Sequence, residues 1–388
     1  MRGKPLAYLD SAATSLKPRC VLDTVAEYYG PKYGTVRRGV YGLSEKATAA
    51  FEGAREKVAR FLGAPGPGNI VFTKGTTEAI NLVASSWGRT RVQAGDRILV
   101  TAMEHHANIV PWQLLCREKG AHLDVLPMNA AGELEMERLP GLLDRRTRLV
   151  AVAGISNALG TVNPVREIAR QAHEAGALVL VDAAQMVAHA RVDVADLGCD
   201  FLAFSGHKLF GPCGVGVLYG KAEILESMPP YQGGGDMIQT VTFEKTTFAE
   251  VPRRFEAGTP AIVEVIGLGT AIDYVRRLGI DAIGAHDAEL LEYGTRLLEE
   301  IPGLSFTGTA RRKAGILAFV LSGVHPHDIG SVLDQEGIAI RAGHHCAQPV
   351  MQFFGVAATA RASLSIYNTR DDLDRLAAGL RKVVALFR

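Results

Sequence analysis

The chain has 388 residues, enough for two or three domains at about 150 residues each. Its 42 Lys and Arg residues nearly balance 41 Asp and Glu residues, and 47% of all residues are hydrophobic. These values are typical of soluble globular proteins and argue against intrinsic disorder and against nucleic-acid binding. No apolar run approaches the roughly 20 residues of a membrane-spanning helix, so we expect no membrane segment.

The five cysteines are an odd number in a long chain, which argues against a disulfide scaffold. The first residues also lack the apolar stretch of a secretory signal, so we expect a cytoplasmic protein with free thiols. Cys20, Cys116 and Cys199 are interpreted as packing residues of helices or strands. Cys213 and Cys346 instead lie in loops that contain glycine.

Strands and helices alternate through the first two thirds of the chain. An amphipathic pattern over residues 44–62 predicts a helix that stops near Gly63. Short apolar runs predict seven buried strands, over residues 70–73, 97–101, 122–127, 148–153, 178–181, 201–204 and 215–219. This alternation predicts an α/β fold with a mostly parallel seven-stranded sheet that helices cover on both faces.

The pattern changes after residue 230. Residues 231–260 are rich in Gly and Thr and predict an extended arm, and residues 261–278 predict a long helix. Predicted strands over 315–321, 338–341 and 362–366, with a C-terminal amphipathic helix, then indicate a smaller α+β domain. We place the large domain at residues 1–262 and the small domain at 263–388, which N-terminal residues could complete.

Two residues at the ends of predicted strands carry the strongest chemical signal. Lys208 follows the strand FLAF, where desolvation would lower its pKa and supply the neutral amine of Schiff-base chemistry. Asp182 ends the strand LVLV, where a buried carboxylate could hold the protonated ring nitrogen of pyridoxal phosphate (PLP). The alternatives are a lysine in a surface turn and an aspartate that caps the next helix. The pair is more specific than either residue alone.

Three further segments follow predicted strands. Thr76 and Thr77 open a helix whose N-terminus suits a phosphate, although ordinary helix capping is the alternative. His105 follows the strand ILVT, where an imidazole could stack on an aromatic cofactor or shuttle protons. Cys346 lies in the loop RAGHHCAQP, where the thiol stays accessible and adjacent imidazoles favour the thiolate.

Eight motifs occur in order along the chain: TKGTTE, MEHHANIVPW, ISNALGT, VDAAQ, FSGHKLFGP, FEAGTP, RAGHHCAQP and RASLSIYNT. They strongly resemble the group II cysteine desulfurases, the Suf/Csd branch of the class V aminotransferase-like PLP enzymes. The resemblance implies a fold-type I homodimer that converts L-cysteine to L-alanine and takes up the sulfur as a persulfide on Cys346. The persulfide would pass to an acceptor protein of the SufE, CsdE or SufU type, for iron–sulfur cluster or other sulfur-compound biosynthesis.

The resemblance also implies how the chain would hold PLP. Lys208 would bind it as a Schiff base and later move the Cα proton of the substrate, and His105 would stack on the ring. Asp182 would pair with the ring nitrogen and Gln185 with the phenolic oxygen. The phosphate would be held by hydroxyl and imidazole side chains, one of them from the partner subunit: Thr76, Thr77, Ser205, His207 and, from the partner, Thr259.

The substrate carboxylate would be bound by Arg361, Asn157 and Arg341, since a planar guanidinium suits a carboxylate. The chain departs from the usual family pattern at positions outside these sets. Arg37 and Gly154 stand where the family often has His, and two smaller departures are Ala183 for Gly and Cys213 for Thr.

Other functions stay open at this point. A selenocysteine lyase acting on L-selenocysteine, or a cysteine sulfinate desulfinase, would not need the thiol of Cys346. A sulfur carrier would relay a persulfide without catalysis. A metal-dependent hydrolase could bind its metal through five loop residues, namely His105, His106, His344, His345 and Cys346. Their spacing, however, is not that of a helical zinc motif.

Overall fold

The computed structural model describes Met1 and residues 3–387. The strands in this part of the chain are β1 (Ala7–Tyr8), β2 (Ile70–Thr73), β3 (Arg97–Thr101), β4 (His122–Leu126), β5 (Thr147–Ala153), β6 (Leu178–Asp182), β7 (Phe201–Ser205), β8 (Gly216–Gly220), β9 (Ile238–Val241), β10 (Thr246–Phe248), β11 (Leu304–Phe306), β12 (Ile316–Leu321), β13 (Ile338–Ala339), β14 (Arg341–Gly343) and β15 (Thr359–Ser363).

The α-helices of the same residues are α1 (Arg19–Tyr29), α2 (Gly42–Phe61), α3 (Thr76–Val83), α4 (Arg89–Arg91), α5 (Val110–Lys119), α6 (Leu139–Leu142), α7 (Val165–Glu174), α8 (Met186–His189), α9 (Val194–Leu197), α10 (Ala222–Ser227), α11 (Ile262–Leu278), α12 (Ile280–Glu299), α13 (Pro326–Gln335), α14 (Gln348–Phe353) and α15 (Arg370–Phe387).

The large sheet has seven strands in the order β2, β8, β7, β6, β5, β3, β4. Strands β3 to β7 pair in parallel, whereas β8 runs antiparallel to both of its neighbours. Residues 206–215, which join β7 to β8, are too few for the crossover of about a dozen residues that a parallel neighbour needs. The predicted mostly parallel sheet is confirmed, and all seven predicted strands match the observed bounds to within one residue.

The large sheet is buried on both faces. On β5, Val150 and Val152 pack into one apolar cluster, while Leu149 and Ala151 pack into the cluster on the opposite face. The first cluster includes the apolar stripe of α2, which confirms the helix predicted over residues 44–62. Because helices cover both faces, inner strands such as β6 and β7 are almost continuously apolar instead of alternating, whereas the edge strand β4 carries polar residues.

The small sheet is antiparallel, with the strand order β11, β12, β15, β14. It packs with α12, α13 and α15 around a separate apolar cluster that includes Leu290, Ile329 and Leu373. The N-terminal strand β1 pairs in parallel with β13, so N-terminal residues lie against the C-terminal part of the chain. The domain boundary at residue 262 stays a prediction.

Two predicted strands of the small domain need correction. Residues 338–341 divide between two strands, because β13 pairs with β1 whereas β14 pairs with β15. The strand predicted over 362–366 is observed at Thr359–Ser363. It stops there because a turn begins at Ser365, whose N–H donates to Asn368 Oδ1 at 2.9 Å.

The predicted arm near residues 231–260 contains the hairpin of β9 and β10, with Phe243 fully exposed between the two strands. The helix predicted next is observed at Ile262–Leu278. Within the described residues, no helix combines the length and the apolar character that crossing a membrane requires.

Candidate active site

A cavity of about 440 Å³ opens at the carboxyl ends of the large-sheet strands, beside β14 and β15 of the small sheet. Its volume suits a small organic ligand. All predicted site residues except Thr259 line it. From the large-sheet side come Thr76, Thr77, His105, Asn157, Asp182, Gln185, Ser205, His207 and Lys208, and from the small-sheet side come Arg341, Cys346 and Arg361.

Asp182 ends β6, and Lys208 lies in the turn that follows β7. Because β6 and β7 are neighbouring parallel strands, both residues lie at the same edge of the sheet. Lys208 is half-buried because its side chain faces the cavity, and the desolvation there lowers its pKa, an effect that nearby Asp182 opposes. Burial raises the pKa of Asp182, although the Ala184 N–H donates to its Oδ1 at 2.9 Å. A lysine with a lowered pKa supplies the neutral amine that Schiff-base chemistry requires.

The N-terminus of α3 forms another part of the cavity wall. Ser205 Oγ accepts a hydrogen bond from the Thr76 N–H at 2.9 Å and forms a second hydrogen bond with Thr76 Oγ1 at 2.8 Å. Gly216 of β8 lies directly against Gly75, since a Cβ on Gly216 would come within 2.3 Å of the Gly75 Cα. Free backbone N–H groups and the helix dipole suit a phosphate at this end.

His105 presents a neutral imidazole to the cavity. Its Nδ1 accepts the Ala107 N–H at 3.0 Å, so the proton of the neutral ring lies on Nε2. Burial, assisted by the charge of Lys208, lowers the pKa of His105 to about 4. At neutral pH the ring is therefore uncharged, which suits stacking on an aromatic group.

Glu104 is a buried residue next to His105 that the sequence analysis did not single out. Its Oε1 accepts hydrogen bonds from Thr101 Oγ1 at 2.6 Å and from the Ala153 N–H at 2.8 Å, and its Oε2 accepts one from Asn108 Nδ2 at 2.6 Å. Burial raises the pKa of Glu104 to about 8. These contacts tie the loop that carries His105 to the ends of β3 and β5.

The N-terminal segment closes one side of the site. Gln185 Nε2 donates to the Ala12 carbonyl at 2.7 Å. The backbone carbonyl of His207 accepts hydrogen bonds from Lys17 Nζ at 2.8 Å and from Ser15 Oγ at 3.1 Å. Burial lowers the pKa of the His207 ring to about 4, so this side chain too is neutral near pH 7.

Arg341 and Arg361 lie on the small-sheet side with Asp10 between them. Arg361 Nη1 donates to the Asn157 carbonyl at 2.7 Å and its Nη2 to Asp10 Oδ1 at 3.2 Å. Arg341 contacts Asp10 through Nε and Nη2, the latter at 2.9 Å from Oδ2. Burial lowers the pKa of Arg361 to about 10, so the guanidinium stays a cation at neutral pH.

Cys346 is exposed in the loop between β14 and α14. His345 and Cys346 have φ values of 53° and 54°, a left-handed conformation that costs residues other than glycine about 1–3 kcal/mol each. Two imidazoles compensate by accepting backbone N–H groups of the loop. Cys346 N donates to His344 Nδ1 and Gln348 N donates to His106 Nε2, both at 3.1 Å, while the Cys346 carbonyl accepts the His106 N–H at 2.8 Å.

His345 anchors the base of the same loop. Its Nε2 forms a hydrogen bond with Thr359 Oγ1 at 2.9 Å, and its carbonyl accepts Asn157 Nδ2 at 2.7 Å. Burial, followed by the charges of Arg361 and Arg341, lowers the pKa of His345 to about 3.

Thr259 does not join this cavity. It lines a second cavity of about 430 Å³ together with Cys213, whose thiol is exposed. A contact of Thr259 with the phosphate site of a partner subunit stays a prediction.

Two departures from the family pattern have a structural reason. Gly154 makes room for Met186, since a Cβ on Gly154 would come within 2.7 Å of the Met186 Sδ. Arg37 is nearly buried and donates to Glu256 at 2.9 Å, and Glu256 also pairs with Arg55 at 2.6 Å.

A metal-dependent hydrolase would need several ligand side chains that converge on one point. Within Met1 and residues 3–387, no group of three or more His, Cys, Asp or Glu side chains converges as metal ligands would. The histidines near Cys346 use ring nitrogens for hydrogen bonds within the loops instead.

Comparison with known proteins agrees with this geometry. The family model for aminotransferase class-V matches residues 7–376. The chain belongs to the class-V aminotransferase family. A cysteine desulfurase of Dickeya dadantii (strain 3937) is 55% identical over 384 residues, which cover 99% of this chain and 93% of that protein.

Solved structures show the same fold. Cysteine desulfurase CsdA from Escherichia coli, in an S-sulfonic acid form, has a TM-score of 0.93 and 41% identity, covering 98% of this chain and 95% of its own. The apo structure of cysteine desulfurase from Thermococcus onnurineus NA1 has a TM-score of 0.94 and 39% identity, covering 97% and 94%. The resemblance and the fold class drawn from the motifs are confirmed.

The cavity fits PLP, the cofactor of the cysteine desulfurases in this family. Within the described residues, the amine of Lys208 makes no hydrogen bond, and only one oxygen of Asp182, Oδ1, accepts one. An amine and a carboxylate oxygen are therefore available in one enclosed space, with the N-terminus of α3 in the same cavity. These are the groups that the aldehyde, the ring nitrogen and the phosphate of PLP require.

Proposed function

We propose that this chain is a PLP-dependent cysteine desulfurase that converts L-cysteine to L-alanine and holds the sulfur on Cys346. The observation that carries the proposal is that the Lys208–Asp182 pair and the exposed thiol of Cys346 open into one cavity. The curated relatives with more than 50% identity over almost the entire chain are cysteine desulfurases.

The residues that line the cavity divide between those that would hold the cofactor and those that would bind the substrate. Lys208 would bind the cofactor aldehyde, Asp182 would pair with the ring nitrogen and Gln185 with the phenolic oxygen, and His105 would pack on the ring. The phosphate is held by Thr76, Thr77, Ser205 and His207, with Thr259 contributed by a partner subunit. When bound, PLP draws electron density from Cα of the amino acid and so makes its proton acidic.

The chain's own residues carry out the remaining steps. Arg361, with Asn157 beside it, binds the substrate carboxylate and orients the molecule, whereas Arg341, predicted to bind that carboxylate too, has its guanidinium paired with Asp10. The free amine of Lys208 would take the proton from Cα, for which a lowered pKa is suited. The Cys346 thiolate attacks the substrate sulfur, so the C–S bond breaks with its electrons left on the carbon side and an S–S bond forms. Cβ takes up a proton, and Lys208 returns the other proton to Cα. Cysteine and the thiol thus yield alanine and a persulfide.

The partners follow from this chemistry. An exposed persulfide needs an acceptor, and a protein of the SufE, CsdE or SufU type would take the sulfur for iron–sulfur cluster or other sulfur-compound biosynthesis. A homodimer would bring Thr259 to the partner's phosphate site. A cytoplasmic location suits a reactive free thiol.

The decisive experiment is a single turnover of the PLP-loaded enzyme with L-cysteine, followed by alanine quantification and mass spectrometry of the protein. We expect one alanine per site and one added sulfur on Cys346. The Cys346→Ser variant should bind PLP but form no alanine from cysteine. Cys213→Ser is the matched control, since Cys213 is also exposed but lines the other cavity, and it should behave like the wild type.

The same variants separate the alternatives. Full alanine formation from cysteine in Cys346→Ser would contradict the persulfide role. Retained activity of that variant toward L-selenocysteine or L-cysteine sulfinate is expected, because these substrates carry better leaving groups. A substrate preference of the wild type for either one would identify a selenocysteine lyase or a sulfinate desulfinase.

A further inference from the structure

Two arginines face each other across the strands that border the cavity. Arg341 of β14 is the register partner of Arg361 of β15, so both side chains lie on the same face of the small sheet. Like charges directly opposite each other destabilise a strand pair. Asp10, which bridges to Ser363 of β15, places its carboxylate between the two guanidinium groups.

Asp10 engages the two arginines unequally. Arg341 donates a fork, with Nε at 3.1 and 3.2 Å from the two carboxylate oxygens and Nη2 at 2.9 Å from Oδ2. Arg361 donates only Nη2, at 3.2 Å, and its buried Nε has no hydrogen-bond partner within the described residues. Arg361 Nε thus remains able to donate a further hydrogen bond, whereas the Nε and Nη2 groups of Arg341, which form its fork, both donate to Asp10.

We propose that Asp10 determines substrate specificity by occupying the fork of Arg341, so that the cavity offers a single guanidinium, Arg361, to an amino acid with a single carboxylate. This inference rests on the proposed function.

The position of Arg341 gives the inference its chemistry. Arg341 begins the strand that leads into the Cys346 loop and lines the same cavity as Cys346, which takes the sulfur at the far end of the substrate. A second anionic group at that end of the substrate, such as a sulfinate or a carboxylate, meets the charge of Asp10 instead of a free cation. Occupying Arg341 therefore works against substrates with anionic side chains.

The test compares two substrates that give the same product. L-Cysteine with the Cys346 thiol yields L-alanine and the persulfide, whereas L-cysteine sulfinic acid yields L-alanine and SO₂, with the electrons of the C–S bond left on carbon, which takes up the proton. In the PLP-loaded enzyme, Asp10→Asn keeps the shape of the side chain and removes its charge. The ratio of kcat/KM for sulfinate to kcat/KM for cysteine should rise about tenfold, because a charge-assisted contact with Arg341 becomes available.

Two variants control for structural damage. Asp124→Asn removes the charge of a similar forked pair, in which Arg97 contacts Asp124 at 2.6 and 2.8 Å outside the cavity, and should leave the ratio unchanged. Asp10→Asn combined with Arg341→Gln removes the released cation as well, and should return the ratio to the wild-type value.

Equilibrium binding gives a readout that does not depend on turnover. In calorimetric titrations of the PLP-loaded enzyme, Asp10→Asn should increase the affinity for L-aspartate, relative to that for L-alanine, by about tenfold. Unchanged ratios in both assays, or equal losses for both substrates, overturn the role of Asp10. If the wild type forms no alanine from cysteine, the proposed function has failed, and the binding ratio still decides the role of Asp10.

Discussion

On the large-sheet side of the cavity, the ionisable groups lie in desolvated surroundings that lower the pKa of Lys208 and raise that of Asp182. On the small-sheet side, the thiol of Cys346 is exposed and stands in a loop with two left-handed residues. The difference follows from the proposed reaction. Proton transfer needs groups with shifted pKa values in a dry site, whereas a persulfide must meet an acceptor outside the cavity.

The two sides are also held in different ways. Regular strands position the first, since Asp182 is the last residue of β6 and Lys208 lies in the turn that follows β7. Side-chain hydrogen bonds position the second, since His106 and His344 accept the N–H groups of the Cys346 loop. We therefore expect substitutions of Lys208 and Asp182 to reduce the rate of the chemistry itself, and substitutions of the side chains that hold the Cys346 loop to change sulfur transfer and stability more gradually.

The largest effect is expected for Lys208→Met. Loss of the amine should remove the covalent link to PLP, detected as loss of a borohydride-trapped chromophore, and reduce alanine formation by roughly 10³-fold or more. Lys313 is the matched control, because burial lowers its pKa to about 8 although it lies outside the cavity. Loss of the chromophore in Lys313→Met as well would contradict the prediction that Lys208 forms the covalent link to PLP.

A smaller loss is expected for Asp182→Asn. The covalent link through Lys208 should form, but without a negative charge at the ring nitrogen the rate of alanine formation should fall by about 10²-fold. Single-turnover kinetics measures this. Asp287→Asn, which alters a buried carboxylate paired with His189 away from the cavity, should leave the rate constant unchanged, and equal rates for both variants would contradict the assignment.

On the small-sheet side, His345 should make stability depend on pH. Its pKa is about 3 in the folded protein, below the usual value of about 6.5, so between these values only the unfolded chain binds the proton. Stability should therefore fall as the pH decreases from about 6.5 to about 5, by about 1.6 kcal/mol from this residue, or about 16-fold in the unfolding equilibrium.

The His345→Asn variant checks this by chemical denaturation at both pH values. In His345→Asn, stability should change less with pH than in the wild type, by the amount that His345 contributes. His327→Asn, at a largely exposed side chain, should keep the pH dependence of the wild type. Identical slopes for the wild type and His345→Asn would show that the buried ring is not the source.

The smallest effect is expected for His106→Ala, which removes the acceptor for the Gln348 N–H. One lost hydrogen bond of about 1 kcal/mol should lower persulfide formation about fivefold by loosening the loop, with the PLP spectrum unchanged. His106→Gln offers another acceptor and should restore most of the rate. Desulfination of L-cysteine sulfinate, which does not use the thiol, should be unaffected, and a parallel loss there would place the effect in the cofactor site.

Residues that follow predicted strands could be assigned from the sequence. Lys208, Asp182 and His105 each come after an apolar run, and parallel strands bring such positions to one edge of the sheet. The role of Glu104 could not be predicted in this way, because one of its hydrogen bonds comes from Ala153, on another strand. Asp10 ends an apolar run as Asp182 does, but β1 has only two residues, too short for a recognisable strand pattern.

By itself, the sequence determined the alternation of strands and helices and the seven strands of the large sheet, and it indicated Lys208 and Cys346 as candidates for the chemistry. These depend on local periodicity and on residue type, which are read along the chain. Only the tertiary structure decided that Asp10 lies between Arg341 and Arg361, because that contact joins positions more than 300 residues apart. Such pairings depend on how separate sheets close around a cavity, and no local pattern encodes them.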